Sequence, residues 1–480
     1  MKKFDPSYLL PGVIGVYYVI HSIYYGKGLQ YSGWLDILVS TILILVYSHL
    51  ILLLIARNKT PASVLIASLI IVVTLFYGSF RDAFFSNLTA ATFVRDHLLN
   101  KTNSVFIILL FVITWMLVRI IKSKSGKLAN VGTYAIIFTV SLMCMDIGVY
   151  YYQGLPVLKD PSSALSDTIH IRGEKPDVYF IILDSKTSSK SLRHYWQFNN
   201  DSVEQALVQR GFFIEKEGRS NYNFTPYSIA STLNMSYLTG YSAEMPDEEF
   251  PQTIKAGVFN VFTNNGYAVH NLSFFDINEY PRLGSVWQFH VWDKTLFYSL
   301  FDRITNYTFR SFQQHQRELM KITYDSLLAL INEDTRAPKF VYAHFFVPHP
   351  PAFIDENGND LSVGSMEMQN MSGYLGQVVY SYKLLLGLVE KIQHKTQGKA
   401  IIAVQGDHGY RYLEGQQKMD EQFDVFKAVY FPNKDYTLFN DSISSVNTFR
   451  IIFNSQFGMK LPFLKDTSYN VIAGLLKQFR

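Results

Sequence analysis

Three short stretches of this 480-residue chain carry side chains able to hold a cation: Asp184 behind the run F-I-I-L, His344 and His349 in Y-A-H-F-F-V-P-H-P-P, and Asp407 with His408 in V-Q-G-D-H-G. Carboxylate oxygen combined with imidazole nitrogen is a ligand set for zinc or manganese. A fourth stretch, S-N-Y-N-F-T-P-Y-S-I-A-S-T-L-N, offers a hydroxyl. Thr225 precedes Pro226 and then Ile229, Leu233 and Tyr237 at helical spacing, which predicts Thr225 at a helix N-cap with proline in the first helical position. Plain capping would account for such a threonine. A nucleophilic one would gain from the helix dipole, which favours an anionic alkoxide, and from free N–H groups able to meet a phosphate. A cation held by Asp184, Asp407 and His408 would lower the hydroxyl pKa further. Each stretch also has a bland reading. Gly406 to Gly409 can be a turn, Pro348, Pro350 and Pro351 can merely stiffen a loop, and His344, inside a strand pattern, can be a core histidine.

These residues meet only if the fold delivers them to one edge. Asp177 to Leu183 is a nearly continuous apolar run, as expected for a strand covered on both faces. Further apolar runs at 268–275, 339–347, 399–406 and 427–431 alternate with helical patterns at 201–210, 252–265, 310–332, 374–394 and 447–456. That alternation predicts an α/β domain with a largely parallel sheet flanked by helices. Ligands of such sheets bind beyond the carboxyl ends of strands, where Asp184, His349 and Asp407 fall. The polar stretch 155–175, with Pro156 and Pro161, reads as a linker.

The first third of the chain is of another kind. Five apolar stretches, near 8–25, 34–55, 62–80, 104–121 and 132–152, reach or approach the ~20 residues a helix needs to cross a bilayer. The expected organisation is a five-helix transmembrane domain over 1–152, a linker over 153–175 and a catalytic domain over 176–480. Residues 1–152 carry net charge +7 and the remainder −3. With five spans drawn, eight Lys and Arg lie on the side of the N-terminus and four on the other, which places the N-terminus inside and the large domain outside the cytoplasm. The loop from Phe80 to Asn103 suits an interfacial helix. Asp146, within the last span, marks either a functional pocket or a position near the outer interface that touches water. Cys144 is the only cysteine, so the outer domain must be stabilised by its core and not by disulfides. The basic excess lies between hydrophobic runs, which argues against a nucleic-acid partner.

Taken together, Asp184 at the first strand end, T-x-x-S at a helix start, H-x4-H before a proline cluster and D-H-G after a late strand resemble the sulfatase-like branch of the alkaline phosphatase superfamily. Five spans ahead of an external domain resemble, more narrowly, the bacterial phosphoethanolamine transferases and lipoteichoic acid synthase. The tail V-N-T-F-R-I-I-F-N-S-Q-F-G-M-K-L-P is similar to that of bacterial sulfatase-like membrane proteins. The resemblance implies that Thr225 is the nucleophile receiving a phosphoryl headgroup, with Asp184, Thr225, Asp407 and His408 around one divalent metal, zinc or manganese. It implies that His344 and His349 lie near the substrate, holding phosphate or protonating the leaving oxygen.

Three departures stand out. Ser185 takes a place where the family commonly has Gly, and Pro226 removes an N–H beside the nucleophile, so that part of the oxyanion cradle is either absent or supplied by Asn221 or Lys186. No histidine follows His408, so one tightly held metal is expected. The formylglycine motif of true sulfatases is absent, since 225–229 reads T-P-Y-S-I. The expected function is transfer of a phosphoryl headgroup, of phosphoethanolamine or phosphoglycerol type, from a membrane lipid donor to an envelope glycan or lipid acceptor at the bacterial inner membrane. The alternatives are a phosphoester hydrolase of the same superfamily and a catalytically silent envelope scaffold.

Overall fold

The computed structural model describes residues 5–25, 34–57, 60–88, 92–124, 128, 130–153, 157–158, 169–238, 253–284, 291–362, 370–413, 420–472 and 475–478. The chain forms two compact units: Met1–Gly154 together with Trp287–Thr308, and Leu155–Val286 together with Phe309–Arg480. The expected linker lies mostly outside the described residues.

The first unit is helical. Among the described residues three helical stretches are long and apolar enough to cross a membrane, Ile37–Ile55, Phe106–Ser123 and Val131–Val149, while the apolar helices Leu10–Tyr25 and Pro61–Leu75 are shorter. The stretch expected as one span over 62–80 is broken: Phe76, at φ −90° and ψ 16°, ends the helix Pro61–Leu75 before a new one runs over Tyr77–Leu88. The helix Thr92–Ser123 then begins within the expected interfacial loop, and residues 89–91 lie outside the described ones. Leu10, Ile14 and Tyr18 of the first helix pack with Ile44, Ile71 and Leu75, whereas Leu54, Phe111 and Phe138 point outward, as an apolar solvent allows. Asp146 does not touch water. It is buried and its carboxylate lies 3.0 Å from Nδ1 of His21.

The second unit is built on a mixed sheet. Its strands, with those of two smaller sheets, are β1 (Val157–Leu158), β2 (Val178–Leu183), β3 (Phe213–Glu215), β4 (Thr253–Ile254), β5 (Ala268–Leu272), β6 (Asp276–Ile277), β7 (Lys339–Phe345), β8 (Ile401–Gly406), β9 (Lys427–Tyr430), β10 (Tyr469–Ile472) and β11 (Leu475–Gln478). The main sheet has the order β3-β9-β8-β2-β7-β5. Strands β8, β2, β7 and β5 run parallel, as the alternation of runs predicts, while β9 pairs antiparallel with β8 and the short edge strand β3 pairs antiparallel with β9. β3 escapes sequence reading because three residues cannot establish a period. Every residue of β2 and β8 is buried, which is why β2 and the first four residues of β8 read as continuous apolar runs. Register aligns their ends: Leu183 pairs with Phe345 on one side and with Gly406 on the other. The three most central strands therefore end level, and the loops leaving them share one edge.

Candidate functional site

Asp184 leaves β2 at that edge, and Asp407 and His408 leave β8. His349 sits four residues past β7, while His344 lies within it, opposite Ile182. Asp184, His344, Asp407 and His408 are buried to within 2% exposure, and Asp184 is gathered with His349 and His408 in one group of ligand atoms and with His344 and Asp407 in another, each within 4.8 Å. Nε2 of His344 stands 3.4 Å from one Asp184 oxygen, and Nε2 of His408 stands 3.7 Å from the other and 3.5 Å from Asp407. Asp184 Oδ1, Asp407 Oδ2, His344 Nε2 and His349 Nδ1 are buried without hydrogen-bond partners. Buried polar atoms are rarely left so, and orphaned ones in two groups that share Asp184 fit a cation held there.

The electrostatics agree. Burial, and then the neighbouring Asp407, push the Asp184 carboxyl well above its ordinary range. Burial pushes His349 and His408 well below the usual imidazole value and His344 down to about 3, so the rings are neutral and keep a lone pair for a metal. For His408 the tautomer follows from its partners. Nδ1 donates to the Gly409 carbonyl at 2.7 Å, which leaves Nε2 as the acceptor, 3.2 Å from Oγ1 of Thr225. The Thr225 hydroxyl thus meets the same nitrogen that faces both carboxylates.

Thr225 is one residue further in than expected. The helix spans Thr225–Asn234 with Phe224 as N-cap, and no side chain caps it. A threonine in the first helical position has its hydroxyl free for His408, so capping does not explain it. Ser228, one turn on, donates to the Asp407 carbonyl at 2.5 Å and ties the helix start to the β8 loop.

Two departures gain a physical account. Ser185 adopts φ 59°, the left-handed region that glycine enters without cost, and holds it with two bonds: its N–H donates to Asp407 Oδ1 at 2.8 Å and its hydroxyl to the Gly409 carbonyl at 3.2 Å. Gly409 has no alternative, because a Cβ there would lie 1.9 Å from the Glu421 carbonyl oxygen. The expected substitutes for the N–H lost at Pro226 do not serve. The Asn221 amide donates to the Thr467 carbonyl and accepts from the Val446 N–H, and the Lys186 ammonium points away to the Val378 carbonyl, Ser381 and the face of Tyr382.

Arg411, which the sequence did not single out, lies close to the ligand cluster. Its positive charge lowers the pKa values of Asp184, His349 and His408. Its Nε is buried without a partner, and its guanidinium lies 5.1 Å from the ring of Phe224, the residue before Thr225. The signal was present as a cation four residues after Asp407 in D-H-G-Y-R, but only the loop's path reveals its direction.

Comparison with known proteins points the same way. The Sulfatase family model matches residues 176–442, more than half of the chain, and the protein belongs to that family. It is accordingly an enzyme of the sulfatase-like hydrolase and phosphotransferase class. Among solved structures, the C-terminal periplasmic domain of EcEptC from Escherichia coli is 13% identical, with a TM-score of 0.40, covering 68% of this chain and 97% of its own. The C-terminal periplasmic domain of phosphoethanolamine transferase EptC from Campylobacter jejuni is 10% identical, with a TM-score of 0.37 and coverage of 61% and 92%. A sulfatase-like protein of Bacteroides thetaiotaomicron is 13% identical, with a TM-score of 0.38 and coverage of 60% and 72%. No curated protein matches the sequence.

Proposed function

We propose that the protein transfers a phosphoryl headgroup, of phosphoethanolamine or phosphoglycerol type, from a membrane lipid to an envelope glycan or lipid through a Thr225 ester. The observation that carries the reading is the Thr225 hydroxyl, 3.2 Å from the free nitrogen of a neutral His408 amid four orphaned ligand atoms. Asp184, Asp407 and His408 with Thr225 would hold one divalent metal, zinc or manganese; His349 is grouped with Asp184 and His408, and His344 with Asp184 and Asp407. When bound, such a cation supplies Lewis-acid stabilisation of oxygen charge and acidifies a hydroxyl.

Thr225 Oγ forms a bond to phosphorus as the bond from phosphorus to the diacylglycerol oxygen breaks, and the threonine proton passes to solvent. The leaving oxygen takes a proton from solvent, relayed by the neutral His349 ring, which gives up one proton as it receives another. Attack by an acceptor hydroxyl on the phosphothreonine then restores Thr225. Arg411 holds non-bridging phosphoryl oxygens, a role suited to its planar set of donors. Five membrane crossings, counting the shorter helices 10–25 and 61–75, put this chemistry outside the cytoplasm of a bacterial inner membrane, which the Lys and Arg asymmetry supports. The intact ligand cluster weighs against a silent scaffold.

The test uses the full-length protein in liposomes with headgroup-labelled phosphatidylethanolamine or phosphatidylglycerol. Covalent label on the wild type is expected, and none on Thr225→Ala. Arg411→Ala should slow labelling by about 10²-fold while leaving the bound metal unchanged. Label retained on Thr225→Ala sinks the mechanism.

A further inference from the structure

One stretch of the chain stands apart from the catalytic fold that contains it in sequence. After β6, residues 287–308, which include the first two residues of the helix Tyr307–Asn332, belong to the membrane unit. Its attachment there is specific. Val291 is 1% exposed and shares a core with Leu10, Ile14, Tyr18 and Phe76, and its carbonyl accepts the Tyr18 hydroxyl at 2.6 Å. The Gly78 N–H donates to the Lys294 carbonyl at 2.6 Å, where a Cβ on residue 78 would lie 2.8 Å from the Lys294 Cα. Thr295 then caps the helix Leu296–Thr305, accepting from the Tyr298 N–H at 3.1 Å.

This ten-residue helix is about 15 Å long, half of what a crossing needs. Yet Phe297, Leu300, Phe301 and Ile304, spaced by three and four, form a stripe on one face, exposed by 43, 43, 49 and 83%. Four large apolar side chains standing on one face of a single short helix require a cover. The stripe is continuous with the exposed apolar surface of a helix long and apolar enough to cross a membrane. Phe297 packs edge-on at 5.0 Å against Tyr47 of the Ile37–Ile55 span, whose Leu43, Val46, Leu50 and Leu54 are exposed.

We propose that the helix Leu296–Thr305 is an interfacial element whose apolar stripe lies in the acyl-headgroup boundary of the bilayer, so that a segment inserted in the catalytic sequence binds the lipid surface itself. A helix too short to span, with an apolar face and a polar one, takes this position because only there are both faces satisfied. The inference rests on the membrane spans and not on the phosphoryl-transfer reading, so either can fail without the other.

The experiment places single nitroxide labels in a Cys144→Ser background, at Ile304→Cys, at Leu300→Cys and, as an exposed control in the catalytic unit, at Lys391→Cys. The full chain is reconstituted in vesicles of phosphatidylethanolamine and phosphatidylglycerol, and spectral broadening by oxygen and by a water-soluble nickel chelate is measured. All three labelled positions are exposed, and melting temperatures equal to the parent's verify the fold. Labels at 300 and 304 should show several-fold less nickel broadening and more oxygen broadening than the label at 391. Nickel broadening equal to that at 391 at either position overturns the proposal, since the stripe would then face water. Weak broadening by both agents overturns it as well, since protein would then cover the stripe.

Discussion

A carboxylate is buried in each unit of this protein, and the two are satisfied in different ways. Asp146, among the membrane helices, has the imidazole of His21 at 3.0 Å. Asp184, at the strand ends, faces a second carboxylate, Asp407, and each keeps an oxygen without a hydrogen bond. A charge given a partner across two helices serves as a tie between them. Two carboxylates left facing each other hold a proton between them, as the raised Asp184 shows, or receive a cation in its place. The difference separates structural from functional burial better than burial itself does, since both groups are equally hidden at 2% exposure.

The comparison breaks most visibly at the cation. Asp184→Asn or Asp407→Asn should remove the divalent metal from the purified protein and lower activity by about 10³-fold or more, because the lost Lewis acid is worth several kcal/mol. Metal content by mass spectrometry and turnover of a soluble phosphodiester check both halves. Full metal content with full activity in either variant would dissolve the distinction. The membrane pair should respond oppositely: Asp146→Ala is expected to lower unfolding stability in detergent by about 1–3 kcal/mol, with metal content unchanged. Asp146→Asn, which can still accept a bond from His21, should lose less.

Another buried carboxylate sharpens the contrast, because a proton takes the place of a partner or a metal. Burial raises Glu421 to about 8 from its ordinary 4.5. The Thr187 hydroxyl lies between the Glu421 carboxyl and the Asp424 carbonyl, 3.2 Å away, and with one hydrogen it cannot donate to both. A protonated Glu421 completes the set. The folded state then binds a proton that the unfolded chain releases near 4.5, so this stabilisation is full below about pH 4.5 and is lost as pH rises through about 8. Thermal unfolding followed between these limits should fall with pH in the wild type and more shallowly in Glu421→Gln. Parallel slopes would assign the wild-type dependence to other groups.

Most elements of the catalytic unit were legible. β2, β5, β7, β8 and β9 and the long helices fall where apolar runs and helical spacing put them, since buried parallel strands write continuous runs and amphipathic helices write a 3.6-residue repeat. The membrane region was legible as apolar length but not as geometry. The break at Phe76 has no proline or glycine at that position to announce it, and the buried pairing of Asp146 depends on His21, 125 residues away. Among candidate site residues, Asp184, Asp407, His408 and Thr225 were visible as types at element ends. Arg411 was not, because a cation in a loop carries no sign of where it points. Asn221 and Lys186 misled for the same reason: a polar side chain near a site in sequence finds whatever partner the packing offers.

By itself the sequence determined that an apolar, basic third precedes an α/β domain, and that carboxylates, imidazoles and one helix-starting threonine stand at its element ends. These are consequences of local pattern, which each segment carries alone. Only the tertiary structure decided that Leu183, Phe345 and Gly406 end level, that Asp184 and Asp407 confront each other, that Arg411 turns toward Phe224, and that residues 287–308 join the membrane helices. Each of these depends on register and packing between segments far apart in the chain, for which no local periodicity exists.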